Sequence, residues 1–270
     1  STYSYYVTAK IHTKESQPPE VSELLEVIRR IYVGENGDYT KIGDALEILN
    51  DGDVIHVMNG TYNEKINFSG KKIQIICDGN PGDCILNGND SGTVVTFSGG
   101  EDSTTVLDGF KIIGGNSEDE FNGGGMTIKS NPIIQNCIFK SNASERGGAI
   151  FIRGNSAPII RNCQFNNNTS DEDGGAIFCF EDSATIIENC IFTENISSGG
   201  NGGAIASNKA SLEIISCTFD RNQAQGGGAV YIYESKMINF SQCFLKLNEA
   251  NNGGGIFINN SNINISFTNC

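Results

Sequence analysis

Gly147-Gly148-Ala149-Ile150, then Pro158-Ile159-Ile160, then Asn162-Cys163-Gln164-Phe165-Asn166-Asn167-Asn168: this stretch recurs with small changes, and its recurrence decides the fold. Cys163 belongs to the series Cys137, Cys163, Cys190, Cys217, Cys243 and Cys270, with separations of 26, 27, 27, 26 and 27 residues. Two residues after each Cys stands Phe139, Phe165, Phe192, Phe219 and then Leu245. Five residues after stands Asn142, Asn168, Asn195, Asn222 and Asn248. Upstream lies a small-residue step, G-G-G-M from Gly123, G-G-A-I from Gly147, Gly174 and Gly202, G-G-A-V from Gly227, and G-G-G-I from Gly253. A fixed period in the twenties marks a solenoid.

The runs within one unit, such as Ala149–Ile152, Pro158–Ile160 and Cys163–Phe165, are too short for helices and are separated by Gly, Asn, Asp and Ser. Coils of short strands stacked in register form a parallel β-helix, in which like residues sit over like residues about 4.8 Å apart. Cys and Phe alternate with polar residues and so share the inward face. Asn in a column passes amide hydrogen bonds from coil to coil. The paired glycines permit positive φ and corners too tight for a Cβ.

Composition narrows the function classes. The 270 residues carry 18 basic and 32 acidic side chains, a net charge of −14 that repels phosphate backbones. No apolar run is long enough to span a bilayer, and no basic-then-apolar leader opens the sequence at Ser1, so any secretory signal has gone or never existed.

The tandem G-G-A-[ILV] and F-x-x-N steps, Phe139–Asn142, Phe165–Asn168, Phe192–Asn195 and Phe219–Asn222 with Leu245–Asn248 as a variant, resemble the repeats of the polymorphic outer-membrane proteins of chlamydiae and related β-helix proteins. That resemblance covers roughly residues 122–270 and implies a right-handed helix and a surface-exposed adhesive role. Ile31-Tyr32-Val33, Gly37-Asp38-Tyr39-Thr40-Lys41-Ile42, Gly52-Asp53-Val54-Ile55-His56-Val57 and Gly60-Thr61-Tyr62 are similar to the opening turn of pectin-lyase-like β-helices, pectinesterases included. Ile42, Ala45, Leu46 and Leu49 share one helical face there, with Thr40 to cap the start and Asn50-Asp51-Gly52 to stop it. The expected fold is therefore all-β: a right-handed single-stranded parallel β-helix of about ten turns over residues 31–270, with a short N-terminal capping helix.

Residues 1–30 form an expected extra tail. Tyr3, Tyr5, Val7, Ala9 and Ile11 alternate with polar residues as in a strand that docks on another subunit, and Pro18-Pro19 precedes a short amphipathic helix. A last repeat ending at Cys270 without a capping helix is an open template, so either the chain is expected to continue past Cys270 or another molecule is expected to cover the end. Together these point to head-to-tail self-association, and to an extracellular structural or adhesive protein of a surface fibre that contacts cell-surface glycans or proteins. The alternative is a carbohydrate-active enzyme, polysaccharide lyase-like, or a sugar-binding module on the same scaffold.

The search for catalysis favours no enzyme. His12 and His56 lack a nucleophile at diagnostic spacing, the G-H-G and R-I-K steps of polygalacturonases are missing, and Trp is absent. No cofactor is expected. Asp171, Asp173 and Asp182 are weak Ca²⁺ candidates, and Arg146, Arg153 and Arg161 are the candidates for an anionic sugar site. Cys77 and Cys84 flank a turn and form a candidate disulfide, while the laddered cysteines read as buried thiols. Asn67, Asn142, Asn168, Asn195, Asn239 and Asn264 begin N-x-S/T steps.

Overall fold

The computed structural model describes residues 28–259 and 264–270. The sequence-expected tail strand, Tyr3 to Ile11, lies outside the described residues, as does the head-to-tail contact built on it. One coil shows the plan: Ile159–Arg161, Gln164–Asn166, Thr169–Ser170 and Ile177–Phe180 are successive short strands. Each pairs in parallel with its counterparts one coil before and one coil after. Stacked coils generate sheet A with ten strands, sheet B with eight, sheet C with six and sheet D with eight, named here in the order the chain meets them. The ten strands of sheet A run from Arg30–Val33 to Asn264–Thr268 and bound nine full coils, close to the expected number.

The interior follows the expected columns. Phe139, Phe165, Phe192 and Phe219 are fully buried, and their rings stack face to face with centroids 4.9, 4.7 and 4.9 Å apart. The registers Ile134–Ile160 and Phe139–Phe165 bracket Cys137 and Cys163, so those thiols occupy neighbouring rungs. Each ladder thiol donates to the carbonyl two residues behind it, as Cys163 Sγ does to Arg161 O at 3.2 Å. Asn142, Asn168, Asn195 and Asn222 are completely buried. The backbone N and Nδ2 of each donate to Oδ1 of the next, 3.1 and 3.1 Å for Asn142 to Asn168. Nδ2 also donates to a carbonyl of the coil before, 3.0 Å to Phe139 O in the case of Asn168. One side chain thereby satisfies donors and acceptors on three coils.

The corners divide labour among neighbouring residues. The left-handed positions are the residues just before each Cys, such as Asn136 (φ 54°) and Asn162 (φ 54°), and just before each ladder Asn, such as Asn167 (φ 54°). In the glycine steps from Gly147 onward the first Gly supplies positive φ, 64° at Gly147, and the second supplies room. A Cβ on Gly148 would lie 2.2 Å from Thr169 O and 2.4 Å from Gly175 O. The apolar run Val106–Ile113 is two strands, Val106–Asp108 and Phe110–Ile113. Gly109 (φ 83°) breaks it at the same corner that Asn136 occupies one coil later.

Helix α1, Ile42–Ile48, buries Ile42, Ala45 and Leu46 against the first coil. Its cap is not Thr40, as the sequence suggests. Lys41 occupies the N-cap without a side-chain bond, and the Glu64 carboxylate accepts from the Ile42 and Gly43 amides, both at 2.9 Å. A carboxylate from the next coil binds two orphan amides where Thr40 would bind one. Leu49 is buried just past the helix rather than within it.

Candidate functional site

On the outer face of sheet D, near the helix end that carries α1, lies a polar cleft of about 750 Å³. Its floor comes from register neighbours. Asn67 pairs with Thr96, and Thr96 with Thr127. Period-two alternation turns Asn67 and Thr96 outward while Ile66, Val95 and Phe97 fill the core. Ser98 and Lys129 follow those strands and extend the floor. One wall is the turn Asp90–Thr93 and the other is the segment Asn116–Asn122.

The second wall is tied in place. Asp119 accepts from Phe121 N at 2.9 Å and from Asn122 Nδ2 at 2.7 Å, so its carboxylate is occupied by its own loop. Thr93 Oγ1 donates to Gly123 O at 2.8 Å, joining the two walls. Arg153 places its guanidinium carbon 5.4 Å from the centre of the Phe121 ring. The register Thr127–Phe151 and Ile128–Ile152 makes Lys129 and Arg153 neighbours on successive rungs. Partial burial first, and the Arg153 charge second, lower the Lys129 pKa against a smaller opposing pull from Asp119.

Beyond Arg153 the same outer face becomes aromatic. Phe151, Phe178, Ala206 and Tyr231 form a buried cluster separate from the solenoid core, with Phe180, Tyr233 and Phe257 packed against it. The face therefore runs from hydroxyls and amides, which can hydrogen-bond polyhydroxylated ligands, through two cations to a buried aromatic cluster.

The three arginines singled out from the sequence divide between faces. Arg153 stands beside the cleft, one rung beyond Lys129 and against the Phe121 ring, and Arg146 stands behind the wall in ion pairs with Glu120 (3.9 Å), Glu145 (3.8 Å) and Glu172. Arg161 lies on sheet A, where Nε and Nη2 donate to Gln135 Oε1 at 2.9 and 2.6 Å and Gln135 Nε2 donates to Asp108 Oδ2 at 2.7 Å. The acidic trio is likewise dispersed: Asp173 accepts from Asn201 N and Nδ2, and Asp182 pairs with Lys236. Among the described residues no three His, Cys, Asp or Glu side chains converge as a metal site requires. His56 bonds Asp78 through Nδ1 at 2.7 Å and stacks on Tyr32, and His12 lies outside the described residues.

Cys77 and Cys84 are joined by a disulfide. Of the other thiols, Cys137, Cys163, Cys179, Cys190, Cys217 and Cys243 are buried and Cys270 is exposed. Burial pushes Cys163 up and Cys179 to about 12, and the neighbouring Cys190 thiol together with burial pushes Cys217 up, which makes these three poor nucleophiles. Asn142, Asn168 and Asn195 are sealed inside the ladder, so their N-x-S/T steps are closed to modification in the folded chain. Sequence reasoning missed Lys129. It follows G-G-G-M-T-I as Arg153 follows G-G-A-I-F-I, and aligning the coils by their glycine steps places it.

The model of a family described as a right-handed β-helix region matches residues 84–270. The chain belongs to the right-handed β-helix family. That family match is to the β-helix at large and not to the narrower polymorphic outer-membrane repeats. Among solved structures the β-helix is similar to a pectin methylesterase from Yersinia enterocolitica, with 8% identity, a TM-score of 0.50, and 82% of this chain and 81% of that chain covered. It is similar to a pectin methylesterase in complex with a hexasaccharide, with 10% identity, a TM-score of 0.50, and 84% and 80% covered. A rice weevil pectin methyl esterase aligns over 93% and 92% at 12% identity and a TM-score of 0.49. At these identities the likeness to the Yersinia enzyme and to the hexasaccharide complex establishes the shared fold alone. No curated protein matches the chain.

These findings correct the expectation that the chain is not an enzyme. Solved structures that share its scaffold are pectin methylesterases, so the missing polygalacturonase steps and the missing Trp do not exclude an enzyme on this fold. No helix among the described residues is long and apolar enough to cross a membrane.

Proposed function

We propose that this β-helix protein is a carbohydrate-active enzyme that takes an acidic polysaccharide in the sheet D cleft, outside the cell. The observation that carries the reading is Lys129 in the floor of a polar cleft, with Arg153 its neighbour one rung further along, in a chain of net charge −14. A uronate carboxylate fits against the Arg153 guanidinium, a pairing that charge-assisted hydrogen bonds favour. Asn67, Thr96 and Ser98 supply hydroxyl and amide partners for the sugar ring. Lys129, with its lowered pKa, is the candidate base for the proton beside that carboxylate. Its removal sends the C–H electron pair into a carbon–carbon double bond and expels the glycosidic oxygen, which takes a proton from water. The Cys77–Cys84 disulfide supports an oxidising compartment.

The test is an assay on polyuronates, free and methyl-esterified, that follows the unsaturated uronide and released methanol separately. Unsaturated product from the wild type, reduced on the order of 10²-fold or more by Lys129→Met, is the expected result. Absence of any product and of any binding to every acidic polymer tried sinks the proposal. Methanol release that Lys129→Met leaves untouched sinks the assignment of Lys129.

A further inference from the structure

Several basic side chains of this acidic protein are matched with carboxylates: Lys72 with Asp102, Lys209 with Glu234, Arg221 with Glu194, Lys236 with Asp182 and Lys246 with Asp220. Lys65, Lys111, Lys129 and Lys140 form no ion pair among the described residues, and these four gather around one feature, the ridge at residues 87–93. The ridge is a tight turn with positive φ at Asn89 (53°), Asp90 (53°) and Gly92 (54°). Lys65 hangs over it, its Nζ only 3.2 Å from where a Cβ on Gly92 would stand.

On the far side of this ridge from Lys129 is a second cleft, of about 380 Å³, on the outer face of sheet B. Lys111, Ile113 and Lys140 line it, and Asp90 lines both clefts, so the two meet across the ridge. The registers Lys111–Ile138 and Ile113–Lys140 make the two lysines diagonal neighbours on adjacent strands. Diagonal neighbours stand roughly 7–8 Å apart. Two lysines on positions that close share one cleft and repel, and Asp90 is the carboxylate lining it. A bound anion between them relieves that repulsion.

We infer that the acidic polysaccharide crosses the 87–93 ridge and seats a second carboxylate between Lys111 and Lys140, so that sheet B carries an accessory subsite of the sheet D cleft. This inference rests on the reading of the cleft given above. The polysaccharide path is transverse to the solenoid axis, because Lys65, Lys111, Lys129 and Lys140 flank the ridge instead of following one sheet.

The experiment titrates the full chain with a galacturonate dimer and with polygalacturonate, comparing wild type, Lys111→Gln/Lys140→Gln and Lys129→Met. The double variant is expected to bind the polymer roughly five- to tenfold more weakly, with a shallower salt dependence and unchanged dimer affinity. Lys129→Met is expected to weaken both ligands. Lys111 is half-buried and Lys140 exposed, so unchanged thermal melting of the double variant serves as the folding control. Polymer affinity equal to wild type in the double variant, alongside a weakened Lys129→Met, overturns the accessory subsite and spares the cleft. Equal losses for dimer and polymer overturn it as well, since a short ligand in the cleft cannot reach sheet B. A wild type that binds neither ligand overturns both readings.

Discussion

Asn168 shows how much one side chain holds. Its Oδ1 accepts from Asn142 N and Nδ2, and its Nδ2 donates to Phe139 O and Asn195 Oδ1, all at zero exposure. Asn168→Ala leaves those buried groups unpaired with no route for water. The expected cost is on the order of 3 kcal/mol, read as a fall in the denaturant midpoint at constant slope. Asn248, half-exposed in the last described coils, is expected to cost clearly less, and equal losses at both positions would refute the ladder account. At the cleft, the lowered Lys129 pKa has a definite sign. The neutral amine gains population at lower pH than an ordinary lysine allows, so the activity assigned to it rises with pH along a limb centred below 10.5. Arg153→Gln removes a neighbouring positive charge, and that limb is expected to move toward higher pH.

At the scale of elements, the corners and helix α1 are the points of leverage. Gly148→Ala drives a methyl group into Thr169 O and Gly175 O, which are backbone atoms of the next coil and cannot yield without separating the strands. Gly154 also has positive φ, 71°, but a Cβ there meets nothing within 4 Å. Gly154→Ala should therefore cost only the left-handed strain, about 1–2 kcal/mol, whereas Gly148→Ala should abolish cooperative melting. A thermal melt of the two variants separates crowding from conformational strain. Helix α1 depends on a carboxylate far away in sequence. Glu64→Ala is expected to lower stability by about 1 kcal/mol and to speed hydrogen exchange at the Ile42 and Gly43 amides while leaving the core coils protected.

At the scale of the whole molecule, charge dominates. A net charge of −14 repels itself within the folded chain, and added salt screens that repulsion. Stability is expected to rise modestly between low and physiological ionic strength. Affinity for an acidic polysaccharide should move the opposite way, because the attraction to Lys129, Arg153, Lys111 and Lys140 is screened by the same ions. Melting temperature and binding constant measured over one salt series test both signs together. A binding constant indifferent to salt would exclude the lysines as the recognition element.

The solenoid was legible in the amino-acid sequence because its physics is periodic. A residue that stacks on its own copy must recur at the length of a coil, so the Cys, Phe and Asn columns announced the interior and the paired glycines announced the corners. The cleft was not legible, because its residues come from different positions of different coils and share no period. Asn67, Thr96 and Lys129 are brought together by strand register, and Phe121 reaches Arg153 through a loop of irregular length. The same reason explains why Arg146, Arg153 and Arg161, close in sequence, part company: Arg161 falls on sheet A while Arg153 ends a strand of sheet D. Sequence alone determined what repeats, since burial and hydrogen bonding act identically on every coil; only the tertiary structure decided which unlike residues face one another, since that depends on where each coil turns.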